Sequence, residues 1–233
     1  MSGIERTERV RGEDGPYADA GLRWGGRFVP GPLAQSATAM LEGIGQRLWG
    51  FPPRLMAPIV SYLGPRRALC WFIWNMPRYE RTLRMQGGVR THLMCTVISL
   101  INGCEYCTFG HAYALQLIYL REYGRLFPMD EFEFGRLLGQ QPGMVRRRVE
   151  EALRFAGLHG EIRWLDRTVA LASGDARPSD ASEIWVAHLV RMFRVLNSVG
   201  ISDRTTPDEA HDPVNKNGQL RLRYDRLRDP VVV

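Results

Sequence analysis

From Pro32 onward the apolar residues of this chain recur at helical spacing, and glycine and proline cut the pattern into lengths. No run of period-two alternation persists anywhere, so half-buried strands have nothing to be built from, and the chain is restricted to packed helices. Residues 33–49 place Leu33, Ala37, Met40, Leu41, Ile44 and Leu48 at helix-like spacing, and Pro52-Pro53 end the segment. Segments 54–63 and 66–76 follow, separated by Gly64-Pro65, and Pro77 ends or restarts the second. Gly87-Gly88 precede 89–101, and a turn at Asn102-Gly103 leads into 104–124. Further helices are expected over 129–139, 142–157, 161–174 and 179–201. Ser179 or Asp180 is the N-cap of the last, and its core stripe runs through Trp185, Leu189, Met192, Phe193 and Leu196. The expectation is an all-α protein of roughly nine helices. It divides into an irregular N-terminal arm (1–33), one helical domain (34–202) and an extended or disordered tail (203–233).

Composition excludes several classes of partner. Hydrophobic residues make up 45% and charged residues 24%, which suits a soluble globular domain. The longest uninterrupted apolar candidate, 93–101, is about half of what a bilayer span needs, so no membrane partner is expected. The first twenty residues carry no apolar leader, and a cytoplasmic location is expected by default. The net charge of +6 comes almost wholly from arginine, Lys216 being the single lysine. The densest basic run, Arg146 to Arg148, leads straight into Glu150 and Glu151 and reads as a solvated helix face rather than a nucleic-acid stripe.

Four cysteines remain to be placed: Cys70, Cys95, Cys104 and Cys107. Cys70 and Cys95 lie in apolar runs and read as small buried hydrophobes. Trp24, Trp49, Trp71 and Trp74 crowd the first third of the chain and read mainly as core. The C-x-x-C pair at 104 and 107 points to redox chemistry or metal binding. With His111 it occupies helix positions 0, +3 and +7, which fall within about 60° of one another on an α-helix. Cys104 follows a turn, so the helix N-terminus favours its thiolate. A thiolate attacks a disulfide or a peroxide O–O bond, a neighbouring thiol resolves the sulfenic acid that forms, and His111 can carry the proton. Thr108, directly after the pair, stands where a c-type haem motif needs histidine. Zinc would need a fourth ligand such as His92 or Cys95. It would also have to draw together Cys104 and His111, about 10 Å apart along the axis, so no metal site is expected.

The segment LINGCEYCTFGHAYAL (100–115) resembles the signature of the AhpD-like/carboxymuconolactone decarboxylase superfamily. RMFRVLNSVGI (191–201) resembles that family's closing helix, and weaker similarity reaches back to about residue 54. The resemblance implies an all-helical AhpD-like fold and homo-oligomeric assembly. In the alkylhydroperoxidase branch it implies reduction of a hydroperoxide by the cysteine pair, with no resident cofactor and a thiol or lipoyl-type reductant supplied from outside. By position, Cys107 would be the attacking cysteine, Cys104 the resolving one, and His111 part of a proton relay.

The family's relay usually has a glutamate twelve residues before the first cysteine, and this chain has His92 there. A histidine can shuttle protons but cannot supply a carboxylate's fixed charge. Glu105 lies inside the pair, yet its helical position points away from the 104/107/111 face. The stretch 119–134 is longer than the family's usual connection and reads as a surface insertion or a pocket wall. His159, His188 and His211 read as structural or exposed. Two further functional readings stand beside the peroxidase. One is a decarboxylase or lactone-processing activity, whose family members generally lack the pair; the other is a zinc-bound or redox-sensing helical oligomer.

Overall fold

The computed structural model describes residues 31–229, and these are all-helical, with no strand among them. Ten α-helices follow one another: α1 (Pro32–Trp49), α2 (Met56–Leu63), α3 (Pro65–Gln86), α4 (Gly88–Asn102), α5 (Glu105–Tyr123), α6 (Glu131–Gly135), α7 (Pro142–Ala156), α8 (Ile162–Ser173), α9 (Ala181–Asp203) and α10 (Gly218–Arg228). The expected arm over 1–33 falls almost entirely outside the described residues. Only its end is seen, where Pro32 opens α1 with the fixed φ that suits a first helical position.

The antiparallel pair α4–α5 forms the centre. Gly103, at φ 81°, closes α4 with its N–H on Leu100, and the Cys104 N–H reaches back to the Ser99 carbonyl. This Schellman-type turn needs a left-handed residue, which only glycine adopts cheaply. Both helices are buried nearly all round, because apolar clusters lie on two sides of them. Leu93 and Val97 of α4 face one cluster with α7 and the start of α8. Met94, Cys95 and Ile98 face the other, with α1, α2, α3 and α9. Helix α9 begins on Asp180, whose carboxylate accepts from the N–H groups of Ser182 and Glu183. It is long and apolar enough to cross a bilayer by length and composition, yet Leu189, Phe193 and Val199 are spent on the core.

Three expectations are corrected. Pro77 does not close a helix; α3 runs through it to Gln86. The missing N–H leaves the carbonyl four residues back, at Ile73, without its usual partner, and that residue lies on the exposed side of the helix. Cys70 is exposed rather than buried, whereas Cys95 is fully enclosed. Trp74 is likewise half-exposed under the Arg78 guanidinium.

The largest correction concerns residues 203–229, which are neither extended nor loose. Past Arg204 the chain returns across α5, forms a 3₁₀ turn at Pro213–Lys216 and ends in α10. Ala210, Val214, Leu220 and Tyr224 are buried in the core. The Tyr224 hydroxyl donates to Glu131 at 2.6 Å, and Arg228 pairs with the same carboxylate at 2.9 Å. The segment 119–134 is also built in: Gln116 bonds the backbone of Phe127 and Met129, and Phe127 and Phe134 fill the core.

Candidate active site

Cys104 sits just ahead of α5, an extended residue in the N-cap position, while Cys107 and His111 lie within the helix on successive turns. The three are 1%, 2% and 5% exposed. Cys104 is therefore an end residue rather than part of a continuous helical face. Its sulfur is packed under α9, where a Cβ on Gly200 would come within 3.0 Å of it. Cys107 and His111 line a small cavity of about 40 Å³ whose other walls are mostly aromatic and aliphatic, among them Trp71, Phe72, Met192 and Phe193. Such a volume has room for only a few heavy atoms.

The two thiols differ in acidity. A hydrogen bond from Cys107 draws the Cys104 thiol below its ordinary value; burial opposes this, and the backbone amides of Cys107 and Tyr106 at the helix start assist it. The sulfur closes no regular capping bond with them. Cys107 is pushed well up, first by burial and then by that same bond and the charge on Cys104. The direction agrees with the helix-terminus expectation that Cys104 is the more acidic, but the partner thiol contributes most.

His92 is completely enclosed and joins His111 to a carboxylate. Its Nδ1 lies 3.0 Å from His111 Nδ1, and its Nε2 lies 3.0 Å from Asp212 Oδ2. Burial alone would raise Asp212, but its bonds to His92 and to the Val214 N–H hold it below the usual range, so it is an acceptor. With His92 neutral, the network sets the protons: His92 Nε2–H donates to Asp212, His111 Nδ1–H donates to His92, and His111 Nε2 is left with a lone pair. Burial, reinforced by the positive charge available on His92 and His211, pushes His111 well below its ordinary value and keeps it neutral. The fixed negative charge that His92 itself lacks is thus provided by Asp212, 120 residues further on. Glu105 is exposed, as its helical position implied.

The returning C-terminal segment brings further groups that the sequence reading left out. His211 lines the same cavity, and its Nε2 lies 3.0 Å from Asp208 Oδ1. Asp208 also accepts from the Tyr106 hydroxyl (2.9 Å), the Arg54 N–H (3.0 Å) and the Glu209 N–H (2.8 Å). Tyr79 lines the cavity with its ring against His111, and its buried hydroxyl has no partner among the described residues. The signal available in the sequence was slight. Tyr106 lies inside the C-x-x-C pair, and His211-Asp212 stand before a proline that begins a turn. His188, read as structural or exposed, is buried against Asn75, and His159 is exposed.

Among the described residues, no group of three or more His, Cys, Asp and Glu side chains is arranged to hold a metal ion. Comparisons of the chain with protein-family models, curated proteins and solved structures give no match. What the site can do is read from its own groups: two buried thiols of unequal acidity, and beside them imidazoles tied to carboxylates.

Proposed function

We propose that this protein is a thiol-dependent oxidoreductase that reduces a hydroperoxide through a Cys104/Cys107 dithiol–disulfide cycle. The observation that carries the reading is the division between the thiols: Cys107 lines the cavity beside His111, while Cys104 lies behind it as the more acidic sulfur. Cys107 is held protonated at rest, so its proton must leave as the substrate arrives, and the adjoining histidine cluster is there to take it. The Cys107 sulfur then attacks the terminal peroxide oxygen. An S–O bond forms, the O–O bond breaks, and the departing alkoxide gains the proton to become an alcohol.

Cys104 is suited to the second step. As a thiolate it attacks the Cys107 sulfenic acid, the S–S bond forms, and hydroxide leaves with a proton as water. Its greater acidity also makes Cys104 the better leaving thiolate when an external thiol, in a lipoyl-type or other dithiol, reopens the disulfide at Cys107.

Two variants test the assignment with tert-butyl hydroperoxide and a dithiol. Cys107→Ser is expected to abolish peroxide consumption above the uncatalysed rate. Cys104→Ser is expected to stop after one turnover, with a sulfenic acid on Cys107 that dimedone captures. Turnover surviving in Cys107→Ser would overturn the mechanism.

A further inference from the structure

Two histidine–carboxylate pairs converge on the cavity that Cys107 lines. His92–Asp212 reaches it only through His111, whereas His211–Asp208 borders it directly. The placement of His211 is specific. Its backbone N–H donates to the Gly110 carbonyl at 3.0 Å, and its ring lies so close to Gly110 that a Cβ there would fall 2.3 Å from it. Gly110 is one helical turn beyond Cys107, so the imidazole rests on the helix beside the thiol. Trp49 and Phe51 stack on the ring at 5.7 and 6.1 Å, and Tyr106 packs at 4.7 Å. The 3.0 Å contact to Asp208 occupies Nε2, and among the described residues nothing bonds Nδ1.

The two imidazoles next to Cys107 are therefore not equivalent. His111 hydrogen-bonds another imidazole, and a proton on it would be buried near other potential positive charges. A proton on His211 would sit directly against the Asp208 carboxylate, which burial pushes up but the bond to His211 itself, helped by the Arg54 and Glu209 amides, holds below the usual range. A carboxylate on one ring nitrogen stabilises the imidazolium when the other nitrogen receives a proton, and it orients the ring.

We propose that His211, backed by Asp208, is the acid–base residue that carries the Cys107 proton to the leaving oxygen; this rests on the hydroperoxide reading of the site. As the S–H bond breaks, the proton moves to His211 Nδ1. The S–O bond forms as the O–O bond breaks, so the sulfur loses two electrons and the peroxide gains them. The alkoxide then takes the Nδ1 proton and departs as the alcohol. His211 ends as it began, and Asp208 stays ionised throughout. His111 remains neutral, held in place by His92.

The test compares two oxidants on the same protein. tert-Butyl hydroperoxide expels a strongly basic alkoxide that needs a proton, whereas peroxyacetic acid expels acetate, which does not. His211→Phe, which keeps an aromatic ring in the stack, removes the base for both oxidants but an acid that only the alkoxide needs, so it is expected to slow both reductions and that of tert-butyl hydroperoxide by about tenfold or more beyond that of peroxyacetic acid. Asp208→Asn is expected to show the same selectivity in smaller measure. Both rates come from one preparation, so their ratio does not depend on the fraction folded; if His211→Phe does not fold, Asp208→Asn carries the test. An equal loss with both oxidants, or no loss, overturns the role of His211 while leaving the redox cycle standing. A wild-type protein that reduces neither oxidant overturns both.

Discussion

Gly110 is the residue on which the second histidine depends. A methyl group there would meet the Cε1, Nδ1 and Nε2 atoms of His211 at 2.3–2.5 Å. The ring has little room to retreat, because Trp49 and Phe51 stack on it. Gly110→Ala is therefore expected to cost about 1–3 kcal/mol in denaturant unfolding, as overpacking of a buried site does. It should also slow hydroperoxide reduction, since the displaced ring no longer borders Cys107. The shared side of Cys107 and His111 could be read from the sequence because their spacing is local and helical. Asp208, His211 and Asp212 could not, because they sit in a polar, proline-punctuated stretch that reads as loop. Their burial is made tolerable by one another and by Tyr106, Arg54 and His92, partners that lie more than a hundred residues away in the chain. Buried polar groups are accepted when paired, and pairing at that distance leaves no periodic trace.

At the level of elements, the helices with an apolar stripe were legible, and the one judged by its polarity was not. α4 and α5 lie where Gly87-Gly88 and Asn102-Gly103 place their boundaries. α10 was missed because only Leu220 and Tyr224 of its eleven residues are buried, and its arginines dominate the pattern. Its attachment is polar as much as apolar. The Tyr224 hydroxyl and Arg228 share the Glu131 carboxylate, which is 3% exposed. Tyr224→Phe removes one of the two and leaves the carboxylate under-satisfied. The expected cost is about 1–3 kcal/mol in thermal or denaturant unfolding, with turnover little changed at temperatures where the protein is folded. Pro77 teaches the converse lesson: a proline in an exposed stretch of a long helix need not end it.

Across the whole molecule, α4 and α5 divide two apolar clusters, and the site lies along the face of these helices turned toward α3 and α9. The C-terminal return then closes over it, carrying Asp208, His211 and Asp212. The result is a pair of thiols shut away from solvent, with three imidazoles nearby that are tied to two carboxylates. The all-α class was evident from the helical patterning of the chain; the closure of the site by its own C-terminal segment was not, because it depends on where the chain goes after α9. In the proposed cycle Cys104 and Cys107 exchange electrons with a hydroperoxide as a pair. The most direct measurement is intact mass and peptide mapping of the reduced protein after about one equivalent of tert-butyl hydroperoxide. The expected result is the loss of two hydrogens and a single Cys104–Cys107 disulfide, with Cys70 and Cys95 still free. An unchanged mass, or oxidation confined to the exposed Cys70, would contradict it.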